Sequence, residues 1–422
     1  MFSTLLMRPV LAAVQPSAPT NVCVNGNCLK ASTSTANGIK FHPGHYYGSY
    51  NVDGTGASNQ YEMNLLATLD GNVKGYMAYY TWAAIEHDQG NYSWSYASNS
   101  NTGVNFQNII ADFNYLQSVR PGARFIICIQ TEAWGNYGTN AGINANNDAV
   151  PDYILNSSTY GPAGPNGNQY GYELEFSGSN IIAVLAATWR PAVTARLTAL
   201  IQALASTSFV TTSGPYAGKT FTFDTHPLIE GIMYGTDVYT GADYTVSANR
   251  AQLQSLYAGI IPYLPHTTFA IGLDYLGGED GTQMPAFIAD AYGARVALTG
   301  PDIYGTEREE TSQTVYTGGS WNGSNFVAGG GTDYRGKMPY FGLVQAPDYG
   351  KSGSGKDTPA DIFTNIQYLD TDNAIWTGGA MNSPYNTAGF WNTYIQPIAD
   401  ATPTWNTTCP TAYVAAGGCN TK

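Results

Sequence analysis

Gly231-Ile232-Met233-Tyr234-Gly235-Thr236-Asp237 follows Pro227 and reads as a buried strand that ends in a carboxylate. Its small, aliphatic and aromatic residues suit a strand covered on both faces, as strands of a parallel sheet are. Ala294-Arg295-Val296-Ala297-Leu298-Thr299-Gly300-Pro301-Asp302 repeats the form: an apolar run, a turn residue, then an acid. If both are strands of one closed parallel barrel, Asp237 and Asp302 come together at its mouth, because the strand C-termini share one face.

Working outward, strand-length apolar runs alternate with helix-like segments from residue 38 onward, the pattern of parallel βα units. Strands are expected over 38–46, 73–80, 124–130, 231–237, 268–275, 294–300, 338–345 and 373–377. Helices are expected over 62–70, 104–118, 179–204, 249–263, 283–293, 359–369 and 388–399. Polar, glycine-rich loops over 135–171 and 304–336 follow the third and sixth strands, and strand-to-helix loops lie on the active face of a barrel. The expected fold class is therefore α/β, a (β/α)₈ TIM barrel spanning 38–402. An N-terminal tail, 1–37, precedes it, with a mildly apolar start like a signal remnant, and a C-terminal tail, 403–422, follows. Two smaller α/β domains fit less well, because neither half has a phosphate-type glycine loop or a compositional border.

Composition narrows the partner. With 17 Lys and Arg against 30 Asp and Glu, the 422-residue chain carries a net charge of −13, which excludes nucleic acid and anionic membrane as natural partners. Only 11% of residues are charged, while 32 Tyr and 8 Trp supply ring faces of the kind on which neutral sugars stack. No apolar run reaches the roughly 18 residues of a spanning helix. Cys23, Cys28, Cys409 and Cys419 lie in the tails and suggest disulfides and an oxidising compartment, hence a secreted, extracellular or periplasmic location. Their pairing is open, since four cysteines allow three connectivities and the ends of a barrel are neighbours. Cys128, inside an apolar run, is expected to be a buried, unreactive thiol.

After the second strand comes Tyr80-Thr81-Trp82-Ala83-Ala84-Ile85-Glu86-His87-Asp88-Gln89-Gly90-Asn91-Tyr92-Ser93-Trp94. This Trp-x-x-Ile-Glu-x-x-x-Gly-x-Tyr-x-Trp run resembles the segment after strand 2 in many (β/α)₈ glycoside hydrolases, particularly those of the large clan A. The resemblance implies a structural role for Glu86 and a carbohydrate substrate. The chain departs from that clan at its catalytic positions. Where members usually carry Asn-Glu after strand 4 and Glu after strand 7, it has Thr236-Asp237 and Gln345-Ala346-Pro347-Asp348. Barrel hydrolases that act on α-galactosides use Asp at the ends of strands 4 and 6, and Asp237 and Asp302 match those places in position.

Glycoside hydrolysis needs one carboxyl group to protonate the leaving oxygen and another to attack or to activate water. Asp237 and Asp302 are the leading pair, with Asp237 as nucleophile or base and Asp302 as acid; Asp274 and Glu307 are further catalytic candidates. Glu307 stands with Arg308, Glu309 and Glu310 in a charge run that also suits a solvated face. Substrate contacts are expected from His42, His45, Tyr79, Trp82, Gln130, Glu132, Trp134, Tyr239, Tyr275, Tyr304, Gln345 and Trp376, all read as lying at or just past strand ends. His42 and His45 form the one close histidine pair, but spacing fixes no third ligand, so neither a metal nor another cofactor is expected. A glycan-binding barrel without catalysis and a polysaccharide lyase are the rival readings. Oligomeric state is not legible.

Overall fold

The computed structural model describes residues 22–24, 27–29, 38–49, 56–138, 149–162, 170–177, 179–235, 237–238, 243–272, 274–276, 283–303, 311–322, 326–344, 349, 358–378 and 383–421. Eight parallel strands close into a barrel. In chain order they are β1 Gly44–Gly48, β2 Val73–Thr81, β3 Arg124–Gln130, β4 Ile229–Gly235, β5 Thr268–Gly272, β6 Ala297–Asp302, β7 Tyr340–Val344 and β8 Asn373–Thr377. The chain is thus a (β/α)₈ barrel, closed where β8 pairs with β1 from Asn373↔Gly44 to Thr377↔Gly48.

Alternation along the strands sorts the core into two layers. Tyr46, Met77, Tyr79, Ile126, Cys128, Met233, Ala270, Ala297, Phe341 and Ile375 fill the barrel interior. The residues between them, such as Tyr47, Tyr76, Ile127, Tyr234, Ile271 and Trp376, form the mantle against the helices. Inward residues are large on β1, β2 and β7 but small on β5 and β6, where they are Ala270 and Ala297, and β4 alternates Gly231 with Met233. At Gly231 a Cβ would come within 2.8 Å of the Phe341 ring, so that ring fills the space the glycine leaves.

The mantle also buries carboxylates. α1 (Gly56–Leu66) and α2 (Gln107–Val119) bring Asn59 and Asp112 against β2. Asp112 Oδ2 accepts from Asn59 Nδ2 at 2.7 Å and from Tyr80 Oη at 2.8 Å. Burial nevertheless pushes its pKa up to about 6, above the usual 3.8, with the two donors holding it back. A raised carboxyl stabilises the fold fully below pH 4 and loses that contribution as the pH rises toward 6. Asp112→Asn removes this dependence. Its unfolding free energy relative to wild type is expected to rise between pH 4 and pH 7, by roughly 2–3 kcal/mol. Urea melts at the two pH values check it, and a difference that does not move with pH overturns it.

Several elements differ from expectation. Residues 179–204 are not one helix. Asn180–Ala186 is a strand, paired antiparallel on one side with Tyr172–Ser177 and on the other with Glu132–Gly138. The helix α3 is Pro191–Ser206, and it begins where proline's fixed φ and missing N–H are tolerated. The loops after β3 and β6 likewise hold structure: this three-stranded sheet, a helix at Thr311–Tyr316, and the hairpin Ser320–Trp321 with Phe326–Val327.

The expected first strand divides in two. Ile39–Lys40 leaves the barrel and pairs in parallel with Cys419–Asn420, while β1 starts at Gly44 after Pro43, which has no N–H to donate. The C-terminal segment then runs beneath the barrel. Tyr413 is buried, its hydroxyl 2.5 Å from Thr268 Oγ1, and Cys409 and Cys419 form a disulfide. Bridges between the two tails are thereby excluded for these two cysteines; the backbones of Cys23 and Cys28 are register partners in an antiparallel pair. Cys128 is a free, buried thiol inside the barrel, pushed up first by burial and then by the charge of Glu132.

Candidate active site at the barrel mouth

Register decides which residues share the mouth. β3, β4 and β5 run side by side, with Gln130 level with Gly235 and Tyr234 level with Ile271. Three residues on from the latter pair, the same ladder resumes with Asp237 beside Asp274. On β6, Gly272 is level with Thr299, and an extra residue then sets Asp302 opposite Leu343. The extra residue is a β-bulge, and Leu343, its partner across the ladder, packs on the interior cluster. Three aspartates therefore end three consecutive strands at one level.

Glu132 joins them from β3. It stands two residues past Gln130, is almost fully buried, and lies near enough to Cys128 to raise that thiol's pKa. The backbone of Trp134 continues into the sheet over β3, paired with Ala183, and Tyr275 lies on β5's continuation between Asp274 and Leu276. Gln130 is half-buried at the end of β3, and Tyr79 sits one layer deeper, inside the barrel. Glu307, Tyr239, Tyr304 and Gln345 lie outside the described residues.

Four expected contacts are elsewhere. His42 and His45 are at the opposite, N-terminal end of the barrel, because β1 begins at Gly44 rather than ending near residue 46. His42 Nδ1 is 2.8 Å from Glu230 Oε2. His45 is fully buried, and burial lowers its pKa to about 3. Trp376 Nε1 donates to its Nδ1 at 3.0 Å, leaving Nε2 to donate to Thr402 Oγ1 at 3.3 Å. Trp376 therefore faces the mantle, out of phase with the inward Ile375. Trp82 is also fully buried in the mantle: the Thr81 hydroxyl caps the short helix Trp82–Ile85 and turns the indole away from the mouth.

The Trp82–Trp94 run is a clamp. Glu86 is fully buried, accepts from Trp82 Nε1 and from the Gly90 N–H at 2.7 Å each, and ion-pairs with Arg196 of α3. Gly90 has φ +74°, a region that favours glycine, which explains its place in the motif. Glu86 is structural, in agreement with the expectation. Separately, an open groove of about 580 Å³ lies among Val246, Ser247, Arg250, Ala251, Gln254 and Gln283. Among the described residues no carboxylate lines it, and Arg250 is held by Asp290.

Sequence reasoning missed Gly235, Gly272 and Thr299, the inward residues directly below the acids. A glycine at a strand end signals a turn as readily as a bare wall, and Gly235 was legible only as the former.

No family model matches the chain, and no curated protein matches it in sequence. Solved structures similar to it include a GH18 chitinase from Pseudoalteromonas aurantia, at 12% identity and a TM-score of 0.39 over 86% of this chain and 100% of that one. Endo-glycoceramidase II from Rhodococcus sp. gives 9% and 0.43 over 82% and 78% of the two chains. The endo-beta-1,4-mannanase from Thermotoga petrophila gives 10% and 0.38 over 80% and 67%. The fold assignment rests on the closed barrel itself.

Proposed function

We propose that this protein is a glycoside hydrolase that cleaves a neutral polysaccharide or oligosaccharide with carboxyl groups at the ends of β4, β5 and β6. The observation that carries the reading is the register that aligns Asp237, Asp274 and Asp302 at one level of the mouth. One carboxylic acid gives its proton to the glycosidic oxygen as the bond to the anomeric carbon breaks. A carboxylate on the other side either attacks that carbon or takes a proton from the water that does. Neighbouring strands lie about 4.8 Å apart, so Asp237 and Asp274 suit the roughly 5 Å of a retaining pair. Asp237 and Asp302, two strands apart, suit the wider gap that admits a water, with Asp237 as base and Asp302 as acid. Asp237 belongs to both arrangements. Glu132 and Gln130 are assigned to hold sugar hydroxyls beside it.

Charge supports a neutral substrate: a net −13 and a row of acids repel uronate polymers. The Cys409–Cys419 disulfide supports an oxidising, extracytoplasmic location. One experiment tests both. Culture supernatant and cell lysate of a producing strain are assayed for reducing ends released from a panel of neutral polysaccharides. Activity in the supernatant is the expected result, and the ¹H NMR signal of the first-formed anomer tells which pairing operates. A purified, folded protein that releases nothing from any of them overturns the reading in favour of a glycan-binding barrel.

A further inference from the structure

Below the acids, two glycines stand in the inner wall where other strands carry side chains, and the backbone step they leave is called the notch. Gly235 is in phase with the inward Met233, and Gly272 with the inward Ala270, on neighbouring strands at the same level. Both stand two residues beneath the level of Asp237 and Asp274, about 7 Å along the strands. At Gly235 the one atom among the described residues that a Cβ would meet within 4 Å is Gln130 Cγ, at 3.5 Å. The contrast with Gly231 lower on the same strand is direct, since there the Phe341 ring occupies the space. Gln130 bounds the notch on the β3 side and Thr299 on the β6 side. Gln130 Oε1 is buried and has no hydrogen-bond partner among the described residues. A buried acceptor left unpaired is costly, and a ligand's hydroxyl recovers that loss.

We propose that the notch receives the exocyclic hydroxymethyl group of a hexopyranose, whose hydroxyl donates to Gln130 Oε1, and that the mouth thereby selects hexoses over pentoses and uronates. The inference rests on the glycan-active reading of the site. A ring hydroxyl is attached directly to the ring, whereas a hydroxymethyl reaches one carbon–carbon bond deeper and turns to find the acceptor. Its CH₂ lies against the bare backbone of Gly235 and Gly272. A pentose leaves Oε1 unpaired. A C5 carboxylate has no proton to offer it and adds negative charge beneath a row of acids. Sites built to bond a hydroxyl reject analogues that lack it far more strongly than sites that sense size alone.

The test is titration calorimetry with oligosaccharides of equal length from the cello, manno, malto, galacto and xylo series, under conditions in which no reducing ends appear. The xylo series alone lacks the hydroxymethyl. At least one hexose oligosaccharide is expected to bind at least about 10-fold tighter than the xylo-oligosaccharide, the weight of one good hydrogen bond. The ratio should collapse in Gln130→Ala and in Gly235→Val, whose side chain fills the notch, and return toward wild type in Gln130→Glu. A ratio unchanged in the first two variants, tighter binding of the xylo-oligosaccharide, or no binding of any hexose series overturns the proposal. Thermal melts confirm that the variants fold, and Gln130→Ala stands as the test if Gly235→Val does not. Binding requires no turnover, so the hydrolase reading fails separately, if these ligands bind and none is cleaved.

Discussion

Replacing Asp237 with asparagine is expected to lower glycan cleavage by about 10²–10⁴-fold, the usual weight of a general acid or base, and by more if Asp237 is the nucleophile. Asp237 is the residue to test first because it pairs with Asp274 and also shares the level of Asp302, so either choice of partner uses it. The same change on Asp274 and on Asp302 then separates the two arrangements: the partner costs as much as Asp237, and the third acid costs far less. Stability should hold or rise slightly in all three, since each removes one charge from an acid-crowded level. Reducing-end assays beside thermal melts give both readouts. Wild-type turnover in Asp237→Asn overturns the assignment.

Glu230→Ala is expected to do the reverse, costing about 3–5 kcal/mol of stability while turnover below the melting range is retained. Glu230 lies in a bulge at the start of β4, at the barrel's N-terminal end, and is almost fully buried. It accepts from the His42 N–H at 2.8 Å, pairs with His42 Nδ1 at 2.8 Å, and bonds Arg124 Nη1 at 3.2 Å. Burial alone would raise its pKa, but His42 and Arg124 outweigh it and hold the carboxyl down near 2. Alanine leaves the half-buried Arg124 guanidinium without its carboxylate, with the Pro227 carbonyl as a remaining acceptor. Lys40, whose own pKa burial lowers to about 8, would lose a nearby anion as well. A depressed carboxyl contributes stability that is complete above its unfolded pKa of about 4.5 and is lost as the pH falls toward 2. Wild type should therefore lose roughly 3 kcal/mol through this group over that window, and Glu230→Ala should not. Urea melts at several pH values check the slope. Equal acid sensitivity in the two proteins, or lost turnover in a folded variant, contradicts the assignment.

The barrel was legible because strand-length runs recur between helical segments, and β3 and β8 fall at the expected residues. Which way each side chain points was not. Parallel strands buried on both faces lose the polar–apolar alternation that marks the inward phase, so nothing in Asn373-Ala374-Ile375-Trp376-Thr377 tells that Ile375 points in and Trp376 out. The same limit applied to the single run over 38–46. Its break at Pro43 carried His42 and His45 from the expected mouth to the far end, because the partner of Ile39–Lys40 lies some 380 residues away at Cys419–Asn420. The candidate acids were named by their place after apolar runs. The extra residue before Asp302 emerges only from pairing with β7.

That pairing of Ile39–Lys40 with Cys419–Asn420 has a further consequence. The chain enters and leaves the barrel at one pole, and the mouth is at the other. A binding module, a surface tether or an affinity tag joined at either side of the barrel would hang from the closed pole, and the acids would still face outward to an insoluble or bulky glycan. A circular permutant that links these two ends and opens the chain in an outer loop would need only a short connector.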